Sequence, residues 1–416
     1  MSQDSHESLP VADLPKLEPG GRLRLLANTR VLDLTTSLAG PYATLLLADL
    51  GADVIKIERL GAGDDSRHWL PPALAGKALW FSSINRNKRS LTLDYSMTDG
   101  LAVLHDLVRE SDVVISNQLP RVQDKLGISY SALKAIRPDL VYVSLTGFGL
   151  DGARANYPCY DLIAEGYSGV MDLTGEAEND PQKVGTPAAD LLAGADAALG
   201  CLAALLDRKT TGQGHLVDVS LVESMTRFMT PRLVSYLGSG ELPRRSGAKD
   251  SVIAIYQVFQ TADEPITLGL ANDNIWRRFC QAAGCMGFLD DPTLASNAGR
   301  VGARAKLAAK ISDVLRQRTR AHWLELFARS GVPAGPISRL DEVARDTELH
   351  KRGFLYAIDD GGVAVPQVGL GIRFDGVAAG YDRAPPALGQ HSEEILASVP
   401  GYSPAHLAKL KGKGLI

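Results

Sequence analysis

The chain has little of what usually announces a chemistry. Among its 416 residues there are four cysteines, Cys159, Cys201, Cys280 and Cys285, with no CxxC pair and no metal-ligand spacing. That scatter argues against a disulfide scaffold and fits a reducing cytosol, so a cytoplasmic location is expected. The eight histidines make no HExxH or HxH cluster, and no metal site is expected. There is no basic tract and the net charge is −4, which argues against a nucleic-acid partner. Residues 1–14 are polar and acidic, without the apolar segment of a signal peptide. No stretch reads as the ~20 continuous apolar residues of a bilayer span, so no membrane partner is expected. A GxGxxG turn after the first strand is missing too, which counts against a nicotinamide dinucleotide site.

What is present is an ordinary globular composition, 45% hydrophobic and 22% charged, in a chain long enough for two domains. Arg30-Val31-Leu32-Asp33-Leu34 reads as a strand, Pro41 opens an apolar helix ending at Gly51, and Asp53-Val54-Ile55-Lys56-Ile57-Glu58 is the next strand. This β-α-β pattern recurs through strands at 90–94, 112–116 and 140–145 and helices at 100–110 and 131–136. It predicts an α/β fold, a large Rossmann-like domain with a mostly parallel sheet. A helix from Asp190 to Asp207, a strand at 215–220 and a helix at 222–237 follow. Residues 239–250 are turn-rich and charged, a natural linker. Strands at 253–259 and 266–270 and helices at 274–283 and 304–317 then predict a smaller α+β domain, and Val332-Pro333-Ala334-Gly335-Pro336 reads as a second boundary. The expected organisation is a flexible leader (1–21), the N-terminal part of the large domain (22–225), the smaller domain with its linkers (226–335) and a C-terminal part completing the large domain (336–416).

Asp190 stands alone as a carboxylate within Val184-Gly185-Thr186-Pro187-Ala188-Ala189-Asp190-Leu191-Leu192-Ala193-Gly194. An ionised carboxylate among small apolar residues is costly unless something uses or compensates it. Leu191, Leu192, Ala195, Leu199, Leu202 and Leu206 recur at helical spacing, so Asp190 falls at or near a helix N-terminus, where free N–H groups favour an anion. On local evidence alone the cap is the favoured reading, and the wider sequence reverses that preference.

The wider sequence resembles the class III CoA-transferases, the CaiB/BaiF family. The matching segments run in order: Val31-Leu32-Asp33-Leu34, Ala39-Gly40-Pro41, Leu50 to Arg59, Gly63-Asp64-Asp65-Ser66-Arg67, Asn85 to Ser90, Asp112 to Asn117, Gly169 to Gly175, Ala189-Asp190, Lys209 to Gly214 and Pro385 to His391. The resemblance covers nearly the whole chain from about residue 25. It implies that Asp190 is the nucleophile that attacks an acyl-CoA thioester, a role suited to a dry pocket because the anhydride formed would hydrolyse in water. It also implies that Arg59 and Lys125 hold CoA phosphates, with a solvated surface charge as the alternative for each. Leu38, Ala39, Leu93, Asp94, Asn117 and Gln118 would line the adenine and pantetheine groove. Gln118 and Lys125 depart from the aromatic and the arginine of some relatives. CoA and acyl-CoA are then substrates, no tightly bound cofactor is expected, and an interlocked homodimer is implied, with a hetero-oligomer as the alternative.

Tyr160-Asp161 would open a helix with Asp161 as its N-cap; the resemblance implies that this acidic residue lies beside the active site and that Tyr160 is one of the CoA-binding residues. The family's racemase branch carries a His where this chain has Tyr160, so an α-methylacyl-CoA racemase lacks its second base here. A non-catalytic CoA-ester-binding subunit is the third reading. Formyl–oxalate enzymes carry a tetraglycine loop where this chain has Arg244-Arg245-Ser246-Gly247-Ala248-Lys249. Those arginines suit a second carboxylate, so the expected reaction moves CoA from an acyl-CoA donor, succinyl-CoA favoured, to a dicarboxylic acid. The Asn85–Arg89 cluster reads as a helix-end or interface charge group.

Overall fold

The computed structural model describes residues 9–416, which form two compact units. The first comprises residues up to Ser168, Val184–Thr230 and Ala344–Ile416; the second comprises Gly169–Lys183 and Pro231–Val343.

In the first unit, β1 (Arg30–Asp33), α1 (Ala39–Asp49) and β2 (Asp53–Glu58) form the expected β-α-β start. Then come β3 (Lys88–Thr92), α2 (Thr98–Arg109), β4 (Val113–Ser116), α3 (Tyr130–Ile136), β5 (Val141–Thr146) and α4 (Asp161–Ser168). After these the chain forms α5 (Ala188–Thr211), β6 (Leu216–Ser220) and α6 (Leu221–Phe228). The sheet is wholly parallel, in the order β3-β2-β1-β4-β5-β6. Strands covered on both faces need apolar runs, and Leu32, Ile55, Val114 and Val143 are fully buried. On one face Leu104 and Leu107 of α2 pack with Leu32, Ile55 and Val114, joined by Ile395 and Leu396 of the helix Ser392–Ala397 and by Tyr402 from the connection that follows it.

The other face carries α1 and α5. Small residues let these helices approach: a Cβ on Gly194 would lie 2.6 Å from the Ala39 carbonyl oxygen. By length and composition α5 is apolar enough to cross a membrane, contrary to the sequence expectation. Its Ala189, Ala193, Ala197 and Cys201 are instead buried in the unit, and core helices pass the same test.

Part of the expected leader, 1–8, lies outside the described residues. Beyond it the chain is fastened: Leu17 N–H donates to the Ala357 carbonyl and Gly20 N–H to that of Tyr381. The cluster 85–89 begins at a helix end, Asn85 closing the helix Leu79–Ile84 by donating to the Phe81 carbonyl at 2.9 Å, but its cations turn inward. Arg86 pairs with Asp49, Arg89 with Asp53 and Lys88 with Asp33, all three cationic side chains buried, because β3 continues the sheet and draws them inside.

The expected helix at 222–237 is broken, α6 being followed by α7 (Thr230–Ser239). The second unit then contains β7 (Tyr256–Phe259), β8 (Ile266–Gly269), α8 (Asp273–Ala282), α9 (Arg304–Leu315), α10 (Arg320–Ser330) and β9 (Ala334–Pro336). Its core joins Phe259, Ile266, Trp276, Phe279, Trp323 and Phe327. Within 332–336, expected as a boundary, Ala334–Pro336 is the third strand: Ala334 pairs with Leu268 and Pro336 with Ile266. Pro336 is tolerated because β9 is an edge strand.

Candidate active site

The strand order reverses beside β1, between β1 and β4. In open parallel sheets a crevice opens at such a point, outside the C-terminal ends of the strands. Two cavities lie there. The larger, about 530 Å³, is lined by Leu34, Thr36, Arg59, Leu93, Asp94 and Gln118, among others. The smaller, about 260 Å³, contains Leu38, Ala39, Trp69, Asn117, Tyr160 and Asp190. Thr36 and Asp65 line both, so the two are adjacent parts of one surface.

Eight of the nine expected groove residues therefore meet in this crevice. Lys125 is the exception: it is exposed at the end of the short helix Pro120–Lys125, while its neighbour Leu126 lines the larger cavity. Arg59 is present but engaged. Its guanidinium forms an ion pair with Asp65 and donates to the Gly63 carbonyl. Asn117 spends its amide on the chain itself, accepting Thr36 N–H at 3.1 Å and donating to the Thr36 carbonyl at 2.8 Å.

Asp190 is the third residue of α5, not its cap, and its carboxylate has no hydrogen-bond donor among the described residues. Asp161 takes the capping role. Its carboxylate accepts Ala189 N–H at 2.8 Å and Asp190 N–H at 3.3 Å, so Asp161 caps α5 although it was expected to cap its own helix. Burial, reinforced by the nearby Asp161 charge, raises the Asp190 pKa from 3.8 to about 7. Cys159 lies in the same cavity; burial and then the Asp190 charge push its thiol up to about 11, which keeps it protonated and poorly nucleophilic.

The cavity thus offers one unpaired carboxylate of raised basicity, a group able to attack an electrophilic carbonyl, adjoining the larger cavity. Sequence reasoning had missed Thr36, Asp65 and Trp69 as lining residues. The only signal for them was their place just after β1 and β2. Arg244 is exposed, and Arg245 donates to the Asp172 carbonyl at 2.8 Å and pairs with its carboxylate, both groups lying in the second unit.

A family model described as CoA-transferase family III matches residues 26–392. Relatives include the succinyl-CoA:glutarate CoA-transferase of Mus musculus, 34% identical over 98% of this chain and 92% of its own length. The acetyl-CoA:oxalate CoA-transferase of Acetobacter aceti is 36% identical over 81% of this chain and 86% of its own. Among solved structures, a CaiB/BaiF family protein from Brucella suis superposes with a TM-score of 0.78 at 37% identity, covering 90% of this chain and 99% of that one. The chain belongs to CoA-transferase family III, the CaiB/BaiF family.

Proposed function

We propose that this enzyme moves CoA from succinyl-CoA to a dicarboxylic acid through covalent intermediates on Asp190. An Asp190 oxygen attacks the thioester carbonyl; the C–S bond breaks, CoA leaves as thiolate and an acyl–aspartyl anhydride remains. The thiolate attacks the aspartyl carbonyl and expels the donor as its carboxylate, leaving an aspartyl–CoA thioester. The acceptor carboxylate repeats the two steps in reverse, regenerating Asp190. No net proton is transferred, so the carboxylate needs no partner base. The observation that carries this reading is the unpaired, partly buried Asp190 in a cavity adjoining the larger groove. The printed names of the relatives support the choice of donor and acceptor class.

On the first unit Leu199 and Leu206, both on α5, and Phe228 of α6 are 64%, 69% and 55% exposed, large apolar side chains that a second chain could cover. This supports the interlocked homodimer as the working form.

The test is transfer by the protein expressed alone. Succinyl-CoA and acetyl-CoA are offered against succinate, glutarate, malate, itaconate, mesaconate and oxalate, with products read by mass spectrometry. Hydroxylamine added during turnover should modify Asp190, and Asp190→Ala should bind CoA but transfer nothing. Transfer within about tenfold of wild type by Asp190→Ala overturns the reading.

A further inference from the structure

Beneath the crevice lies a set of charges that the proposed chemistry leaves unused. Asp33, Lys56, Asp64 and Lys88 are all at or near zero exposure. Lys56 Nζ lies 2.7 Å from Asp64 Oδ2 and 3.9 Å from Asp33 Oδ2; Lys88 Nζ lies 3.2 Å from the same Asp33 oxygen. Burial opposes the Asp33 charge, yet the two ammonium groups outweigh it and hold the carboxyl below the usual carboxylate range. Buried ion clusters are poor devices for stability, since apolar residues of similar volume often do better. Their presence calls for another reason.

Part of the cluster's outward hydrogen bonding ties it to α1: Lys88 Nζ donates to the Pro41 carbonyl and Asp33 Oδ2 accepts Thr44 Oγ–H. The bonds that supply a reason are those that Asp33 Oδ1, Lys56 and Asp64 make to the turn between β1 and α1. Asp33 Oδ1 accepts both Thr35 N–H and Thr35 Oγ–H. Lys56 Nζ donates to the Thr35 carbonyl at 2.9 Å. Asp64 Oδ1 accepts Ser37 N–H at 3.1 Å, and Asn117 clamps the Thr36 peptide between them from both sides. Ser37 has φ +71°, a left-handed conformation that a serine keeps only when its surroundings impose it. The other side of this turn, from Thr36 to Ala39, forms wall for the cavity that contains Asp190.

We propose that Lys56 and Asp64 are positioning residues for CoA transfer: with Asp33 and Lys88 they lock the 35–38 turn, fixing the cavity wall against which the acyl carbonyl meets Asp190. The proposal rests on the transferase reading above. Neither residue touches substrate; both act through the turn.

Two variants and the wild type test it. Asp64→Asn removes one charge and leaves Lys56 only its more distant partner Asp33. The double variant Lys56→Met/Asp64→Leu removes both charges and keeps the bulk, so it should fold even where the single variant does not. Each folded variant should lose about tenfold or more in kcat while the KM for acyl-CoA changes less than about threefold, because the groove residues Arg59, Leu93 and Gln118 are untouched. Amide hydrogen exchange at Thr36 and Ser37 should quicken by at least about tenfold, with β2 unchanged. A merely structural role predicts full activity from a double variant that melts like wild type. The proposal is overturned by kcat within about twofold of wild type in the folded double variant. It is equally overturned if Thr35–Ser37 amides in wild type exchange much faster than those of β1, whatever the variants do. Failure of wild type to transfer CoA from any donor would sink the transferase reading instead, and the exchange measurement would still judge the turn.

Discussion

Asp161 and Asp190 belong to different helices, yet the carboxylate of the first accepts the backbone N–H of the second at 3.3 Å. One aspartate caps the helix on which the other is displayed, and its charge raises the proton affinity of its neighbour. The arrangement ties a structural device to a chemical one and makes both measurable.

The first consequence is a pH profile. With the Asp190 pKa near 7, kcat/KM for acyl-CoA should fall on the acid side with a midpoint near that value, since only the carboxylate attacks. Asp161→Asn keeps an acceptor for the two N–H groups but removes the charge, so the midpoint should move down. The move should be partial, because burial is the larger cause of the shift and it remains. An unmoved midpoint in that variant would show that the limb belongs to another group.

Stability carries the same signature with a definite sign. A carboxyl whose folded pKa lies above its ordinary 3.8 binds its proton more tightly in the native state, so folding loses stability as pH rises. The loss begins near pH 4 and is complete above about pH 7. Asp190→Asn, which cannot ionise, should therefore melt higher than wild type at pH 8 and about equally at pH 4. Scanning calorimetry at the two pH values decides the matter.

Gly194→Ala tests how close α1 and α5 must come. The added Cβ would sit 2.6 Å from the Ala39 backbone oxygen, so a helix must shift. A cost of about 1–3 kcal/mol is expected in denaturant unfolding, as for other overpacked interiors. Activity should fall too, because Ala39 and Asp190 line one cavity. Unfolding free energy equal to wild type would mean that the close approach is not maintained in solution.

Cys159 should behave as an inert thiol. Alkylation by iodoacetamide should be slow at pH 7 and quicken as pH climbs toward about 11, and bound acyl-CoA should protect the residue. Cys159→Ser should keep activity within about fivefold, since no step requires the sulfur. Rapid modification at pH 7 would contradict the buried, protonated thiol.

Assembly is checked by light scattering. A species of about twice 44.4 kDa that persists on dilution is expected, because interlocked chains separate only by opening. A stable species of 44.4 kDa would leave the leucines of α5 uncovered and remove the support they give to the homodimer.

The sequence alone determined the parallel sheet and the prominence of Asp190. Strand and helix periods repeat every few residues and depend on local spacing, so they are legible without a fold; an isolated acidic residue in an apolar stretch is conspicuous for the same reason. Tertiary structure decided the rest. Val332–Pro336 reads as a break because proline and glycine interrupt local patterns, and only pairing with β8 at the sheet edge makes its last three residues a strand. Lys56 and Lys88 look like ordinary charges of half-exposed strands until the sheet buries them against Asp33, 23 and 55 residues away. Asp161 reads as the cap of its own helix and becomes the cap of another, because hydrogen bonds obey distance in space and not order along the chain.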